Sequence, residues 1–114
     1  MPQINFLKVV FYQTAAGHEP VREWLKSLSK EERKLLGEDI KTVQFGWPIG
    51  MPIVKKLDNR IWEIRTKLRD KTSRVLIAVY EQNIVLLHGF TKKSRKIPKN
   101  DLDLARQRLK DLGG

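Results

Sequence analysis

Residues 61–93 contain three successive strand-like segments, and this stretch constrains the fold more than any other part of the chain. Residues 75–79 are apolar at every position, which predicts a central strand that is buried on both faces. Polar turns separate three predicted strands, which run over about 61–67, 73–80 and 84–91. The stretch therefore predicts an antiparallel meander. Cationic side chains lie near the strand ends, namely Arg65, Arg74, Lys92 and Lys93.

Helical patterns occur before and after this meander. Pro20 stands at the tolerated first position of a helix, and Ser29 with Glu32 forms a capping-box pattern that starts a second helix. Because almost no linker separates the two helices, they are predicted to form an α-hairpin. Residues 45–52 hold two Gly and two Pro, a composition typical of a loop. A last helix is predicted over about 98–112.

The remaining segments complete an α+β arrangement. Residues 4–12 are rich in β-branched and aromatic residues and predict a strand, which could lie parallel to the last strand of the meander or beside its middle strand. Residues 53–57 could form a short extended piece. The chain therefore predicts a single domain over residues 1–114, with a mostly antiparallel four-stranded sheet, an N-terminal helical hairpin and a C-terminal helix.

The distribution of charge indicates a polyanionic partner. The formal net charge is +10, and residues 52–114 carry sixteen Lys or Arg against seven Asp or Glu, whereas residues 1–51 are nearly balanced. Such a one-sided positive field is most typical of nucleic-acid binding, while an acidic protein or, third, an anionic membrane surface is also compatible with it. The chain has no Cys, no apolar run of about 18 residues and no signal-peptide pattern, so we expect a cytoplasmic protein.

Several short motifs follow one another in a recognisable order. They are Glu19-Pro20-Val21, Leu57-Asp58, the segment Ile-Trp-Glu-Ile-Arg at 61–65, Arg74, the segment Leu-Leu-His-Gly-Phe-Thr-Lys-Lys at 86–93, and Pro98. This series resembles the RelE/HigB superfamily of type II toxins, in particular its phage-derived HigB-like branch, over nearly the whole chain. Each motif alone is short, but their order and spacing together are specific.

The resemblance implies a RelE-like fold and an endoribonuclease toxin that cleaves mRNA on translating ribosomes, so that mRNA and ribosomal RNA are expected partners. It also implies a cognate helix-turn-helix antitoxin. In the superfamily an Arg near the position of Arg74 contacts the scissile phosphate, and a His on the strand of His88 has been implicated in HigB-like relatives. No cofactor is expected, and His18 and His88 with scattered acids do not form the pattern of a metal site.

RNA can be cleaved without a metal when its 2′-hydroxyl attacks the adjacent phosphate. Cationic side chains suit this reaction because preorganised positive charge stabilises the charge that develops on the phosphate, and Arg can bind two phosphate oxygens at once. The predicted catalytic residues are Arg65, Arg74, His88 and Lys93. The residues predicted to bind RNA are Lys55, Lys56, Arg69, Lys92, Arg95 and Lys96.

Each arginine also has a purely structural interpretation. Arg65 should lie opposite the buried face formed by Trp62 and Ile64. There it either clamps a phosphate or forms a surface ion pair with Glu63. Arg74 is either a phosphate ligand or a surface residue beside a turn.

The predicted role of His88 depends on which strand face it occupies. Strict alternation places it on the same face as Ile84, Leu86 and Phe90. It is then either a general acid or base, since imidazole titrates near neutrality, or a hydrogen-bonded core residue.

The general base is not assigned by the sequence. Several RelE-type enzymes use a C-terminal Tyr at the 2′-hydroxyl, whereas the tail of this chain has none and both Tyr12 and Tyr80 fall in predicted strands. Strand alternation alone does not decide whether Lys92 or Lys93 faces the site. The alternative to an enzyme is a non-catalytic basic nucleic-acid-binding module or an inactive toxin-like regulator.

Overall fold

One mixed five-stranded sheet carries helices on both faces, in a computed structural model that describes residues 7–50, 52–92 and 97–113. The strands lie in the order β1-β5-β4-β3-β2. In chain order the elements are β1 (Lys8–Phe11), α1 (Pro20–Ser27), α2 (Lys30–Gly46), β2 (Val54–Asp58), β3 (Ile61–Lys67), β4 (Thr72–Tyr80), β5 (Asn83–Lys92) and α3 (Lys99–Asp111). The fold class is α+β.

The predicted meander is confirmed, and its strand bounds agree with the structure within one residue. β4 is the middle strand of the sheet and pairs antiparallel with β3 on one side and β5 on the other. Residues 73–78 are all buried. An apolar run without alternation therefore marked the central strand correctly, because helices cover both of its faces.

The two edges of the sheet correct the prediction of a mostly antiparallel four-stranded sheet, because the observed sheet is mixed and has five strands. β1 pairs parallel with β5, which is one of the two placements that the sequence left open. Residues 4–6 of the predicted strand lie outside the described part of the chain. β2 pairs with β3 and is a fifth strand rather than a short extended piece. Its exposed Lys55 and Lys56 weakened the apolar signal, and charged side chains of this kind are typical of edge strands.

The helix starts are as predicted, but the end of α2 is not. Ser29 and Glu32 form the capping box, in which each backbone N–H donates to the other residue's side chain at 3.1 and 3.2 Å. α2 continues to Gly46, so the first two residues of the predicted 45–52 loop are helical. α1 and α2 also do not form a packed hairpin, because each contacts the sheet more extensively than it contacts the other.

The helices divide the sheet into two different faces. α1 and α2 cover an apolar face whose buried residues include Ile64, Val75 and Ile77. On this face the ring of Trp24 lies directly over Gly89, where any side chain would collide with it. α3 packs on the opposite face, which we call the α3 face, and its Ala105 and Leu109 are buried there. Further apolar residues of the α3 face are Ile61, Leu76, Ala78, Val85 and Leu87.

Polar contacts also attach α3 to the sheet. Arg108 Nη1 donates to the carbonyl oxygen of Leu87 at 2.7 Å. Arg106 Nε donates to Asp58 Oδ2 at 2.6 Å, and this bond is the main reason that the pKa of Asp58 lies below its usual value. No helix in the described part of the chain is long and apolar enough to cross a membrane.

Candidate active site

Three strands bring polar side chains together at one end of the α3 face, which we call the polar end. Arg65 of β3 pairs in register with Arg74 of β4, and Arg74 pairs with Phe90 of β5. Cross-strand partners project to the same face, as do alternate residues of one strand, so the register assigns each side chain to a face. The polar end comprises Lys55, Glu63, Arg65, Lys67, Arg74, His88, Phe90 and Lys92.

A buried ion pair forms the base of the polar end. Glu63 is 0% exposed and Arg74 is 2% exposed, and Arg74 Nη1 donates to Glu63 Oε2 at 2.8 Å. Burying either charge alone would be costly, so each group stabilises the other in the folded state. Arg74 is therefore not a surface residue beside a turn, which was the structural alternative to a phosphate ligand in the sequence analysis. Its guanidinium lies beneath the surface with a carboxylate as its partner.

Glu63 connects this buried pair to a second, accessible arginine. Arg65 Nε lies 3.4 Å from Glu63 Oε1, and the Arg65 side chain is 27% exposed. As predicted, Arg65 lies on the face opposite Ile64. One carboxylate thus faces two guanidinium groups, which leaves the cluster with a net positive charge and Arg65 as its contact with solvent.

His88 reaches the polar end because β5 contains a β-bulge. Leu76 pairs with His88, whereas the next residue of β4, Ile77, pairs with Leu86. β5 therefore contains one extra residue between these two pairs. The extra residue reverses the alternation after Leu86. The prediction that His88 shares a face with Ile84 and Leu86 is therefore wrong, although its pairing with Phe90 on one face is correct.

α3 holds the imidazole of His88 in place. His88 Nε2 lies 2.6 Å from Asp101 Oδ1 in the first turn of α3, and the ring stacks on Phe90 with centroids 5.4 Å apart. Carboxylates commonly fix the tautomer and orientation of a histidine in this way. His88 is thus a partly buried imidazole with a carboxylate partner.

The structure separates the predicted RNA-binding residues into groups. Lys55 pairs in register with Glu63 and Lys92 with Thr72, so both exposed lysines lie on the α3 face. Lys56 lies on the opposite face, with its ammonium 5.7 Å from the ring centroid of Trp62. Arg69 is exposed in the turn between β3 and β4. Lys93, Arg95 and Lys96 lie outside the described residues.

Neither tyrosine belongs to the polar end. Tyr12 donates its hydroxyl to Asp111 Oδ2 at 2.9 Å, near the C-terminal end of α3, whereas Asp101 and His88 lie near its N-terminal end. Burial, and then the hydrogen bond to Asp111, raise the pKa of Tyr12 above its usual value. A phenol that ionises less readily and lies about three helical turns away is a poor base for this site.

Two residues of the site, Glu63 and Asp101, were missing from the sequence-based prediction. Glu63 was considered only as a surface partner of Arg65, because an acidic residue in a strand is usually solvated. Its position two residues from the buried Ile61, on the same face, was the available signal. Asp101 gave no comparable signal, since its contact with His88 joins a helix to a strand across a bulge.

Comparison with known proteins identifies the family of the chain. A comparison with curated proteins finds no significant match. Residues 23–110 match the family described as "Phage derived protein Gp49-like (DUF891)". This match spans every described residue of the polar end and most of the domain. The chain therefore belongs to the phage-derived Gp49-like family, which is a family of RelE/HigB-like toxins.

Proposed function

We propose that this chain is the toxin of a type II toxin–antitoxin system and that it cleaves mRNA on translating ribosomes. One arrangement carries the proposal: the buried Glu63 contacts both the buried Arg74 and the partly exposed Arg65. The pair of His88 with Asp101 lies on the same face of the sheet. This arrangement supplies fixed positive charge and an imidazole that can accept a proton, which are two of the requirements of metal-independent RNA cleavage.

The proposed reaction uses the RNA itself as the nucleophile. The 2′-hydroxyl gives its proton to the base, and its oxygen bonds to the adjacent phosphorus. The bond from phosphorus to the 5′-oxygen breaks, that oxygen takes a proton from water, and the protonated base returns its proton to solvent. The products are a 2′,3′-cyclic phosphate and a 5′-hydroxyl. Arg65 binds the phosphate and stabilises the negative charge that develops on its oxygens.

Arg74 acts through Glu63 in this mechanism. Because its guanidinium is buried and bonded to Glu63 at 2.8 Å, we assign it a positioning role in place of direct contact with the phosphate. Glu63, fixed by Arg74, orients Arg65 through the 3.4 Å contact at Arg65 Nε. The other nitrogens of Arg65 are then available for a phosphate.

His88 is proposed as the base at the 2′-hydroxyl. When Nε2–H donates to Asp101, the neutral ring keeps its proton-accepting lone pair on Nδ1. Asp101 is then a positioning residue that selects this tautomer and stabilises the imidazolium formed in the reaction. A catalytic role for Lys93 stays a prediction, since this residue lies outside the described part of the chain.

The proposed partners follow from the charge and the family. Lys55 and Lys92 extend positive charge on either side of Arg65 and are proposed to contact the RNA backbone of mRNA or of the ribosome. Arg69, Arg95 and Lys96 stay candidates for the same role. A helix-turn-helix antitoxin is the proposed protein partner.

A second candidate function is a non-catalytic nucleic-acid-binding module. It is favoured by the fact that two predicted catalytic groups already have protein partners, Arg74 with Glu63 and His88 with Asp101. Such a module would bind RNA with strong salt dependence and would leave ribosome-bound mRNA intact.

Growth of bacteria that express the chain distinguishes the two functions. Induction of the wild type should stop growth, and co-expression of the antitoxin encoded by the neighbouring reading frame should restore it. Arg65→Ala should relieve the arrest, whereas Lys56→Ala, which removes a cation from the opposite face, should not. Normal growth with abundant folded wild-type protein would contradict the toxin assignment.

A further inference from the structure

A recess of about 450 Å³ lies at the edge of β3, and Arg65 is the one lining residue that the proposed cleavage chemistry uses. Its volume falls within the range of about 300–1,000 Å³ that is typical of small-molecule sites. Helix α2 contributes one wall, the segment before β2 another, and β3 and β4 the rest. The lining residues are Asp39, Pro52, Ile53, Arg65, Lys67 and Thr72.

Asp39 gives this recess an unusual polar group. Asp39 is partly buried. Among the residues that the structure describes, its carboxylate makes no hydrogen bond or ion pair. The carboxylate of Asp39 therefore offers two acceptor oxygens to a ligand in the recess.

The uncovered edge of β3 adds a backbone donor. Pairing between β2 and β3 begins at Val54 with Ile64, and the N–H of Arg65 donates to the carbonyl oxygen of Ile53 at 2.8 Å. Because backbone groups alternate along a strand, the N–H of Lys67 points to the same edge. β2 supplies no partner there, so this N–H faces the edge of β3 on which the recess lies, and Lys67 is one of the lining residues.

We propose that this recess binds a guanine base of single-stranded RNA. Guanine is the one standard base that presents two adjacent donors, N1–H and N2–H₂, beside an acceptor, O6. The two donors match the oxygens of Asp39, and O6 matches a donor from Lys67. Adenine, cytosine and uracil each place an acceptor where guanine has a donor, so a carboxylate discriminates against them.

The position of the recess connects this specificity to the cleavage site. Arg65 lines the recess and also forms the accessible part of the Glu63 cluster. A guanine bound to Asp39 would therefore hold its own phosphate, or a neighbouring one, near Arg65. This inference rests on the proposed RNA substrate and adds the base that the site selects.

Binding of short RNA tests the proposal without relying on cleavage. Fluorescence anisotropy is measured with labelled single-stranded RNAs that carry 2′-deoxy sugars to block the reaction and differ at one position: G, A, C, U or inosine. Wild type should bind the G-containing RNA at least about fivefold more tightly than the A, C and U versions, because a good bidentate contact discriminates by about 5- to 150-fold. Inosine lacks the N2 amino group and should be intermediate.

Two matched variants identify the group responsible. Asp39→Asn replaces one acceptor oxygen by a donor and should abolish the preference for G. Glu38→Gln makes the same change of charge at the adjacent, exposed position of α2 and should leave the preference intact. Equal affinity for all four bases in the wild type, no binding at all, or a preference that survives Asp39→Asn would overturn the proposal.

Cleavage of ribosome-bound mRNA is scored separately with the same proteins. A preference for guanine that depends on Asp39, without any cleavage, supports the recess and rejects the endoribonuclease. Cleavage at positions unrelated to guanine, with no effect of Asp39→Asn on the positions, supports the endoribonuclease and rejects the recess.

Discussion

The two ends of the α3 face are built on the same central strands, yet they bury opposite kinds of side chain. Under α3 the sheet presents apolar residues such as Leu76 and Ala78, which pack against Ala105 and Leu109 of the helix. At the polar end the same strands present Glu63 and charged neighbours, with equally low exposure at the base.

This difference indicates that the polar end is built for function and not for stability. Apolar burial under α3 stabilises at about 25 cal/mol per Å² and needs no particular partner. The pair of Glu63 with Arg74 is neutral or unfavourable compared with apolar residues of the same size, so stability alone does not explain it. Its placement below Arg65 indicates a role in holding that arginine.

The largest expected effect tests whether the pair is as interdependent as its burial indicates. Glu63→Ala should lower the free energy of unfolding by about 3–5 kcal/mol, because it leaves the buried Arg74 charge without its carboxylate. Urea denaturation measures the change. The double variant Glu63→Leu/Arg74→Leu should recover most of the loss, and a loss below about 1 kcal/mol in Glu63→Ala would contradict the buried-pair interpretation.

The same physics complicates Arg74→Ala as a test of catalysis. That variant also breaks the buried pair, so a loss of toxicity could reflect unfolding. Arg65 is the sharper position, because its side chain is partly exposed and its removal leaves the pair of Glu63 with Arg74 intact.

A smaller effect should separate the two faces of the sheet. Lys55 and Lys56 are adjacent and both exposed, and they project to opposite faces. Lys55→Ala should reduce the slope of log affinity for RNA against log salt concentration by about one unit, whereas Lys56→Ala should leave it nearly unchanged. Equal effects of the two substitutions would show that RNA does not bind preferentially at the α3 face.

The smallest effect concerns the attachment of α3 by Arg106. Because Arg106 lowers the pKa of Asp58 in the folded state, this pair adds stability at neutral pH that is lost as the pH falls through that lowered pKa. Wild type should therefore be more stable than Asp58→Asn at pH 7, and the difference should shrink below about pH 4. Thermal denaturation across this range measures the difference, and one that is independent of pH would contradict the account.

Much of the fold was predictable from local patterns in the sequence. The apolar run at 75–79 marked the central strand, and Ser29 with Glu32 marked the start of α2, because both signals depend on neighbouring residues. The strand β2 was missed as a member of the sheet, since its two lysines hide the alternation of an edge strand.

The site was less predictable because its contacts join distant parts of the chain. One extra residue in β5 places His88 on the α3 face, and no local sequence pattern predicts such a bulge. The contact of His88 with Asp101 and the burial of Glu63 depend on where α3 and the strands pack. The sequence identified Arg65 and His88 as candidates, but their partners required the structure.

The most direct measurement of the central claim is the rate of cleavage of mRNA bound to purified, programmed ribosomes, with the new RNA ends mapped by primer extension. At saturating protein, Arg65→Ala should reduce the rate about 10²–10³-fold while folding normally, because it removes the group that stabilises the developing charge. Lys56→Ala should cleave like the wild type. Equal rates for wild type and Arg65→Ala, or no cleavage by a folded wild type, would contradict the assignment of the polar end as the active site.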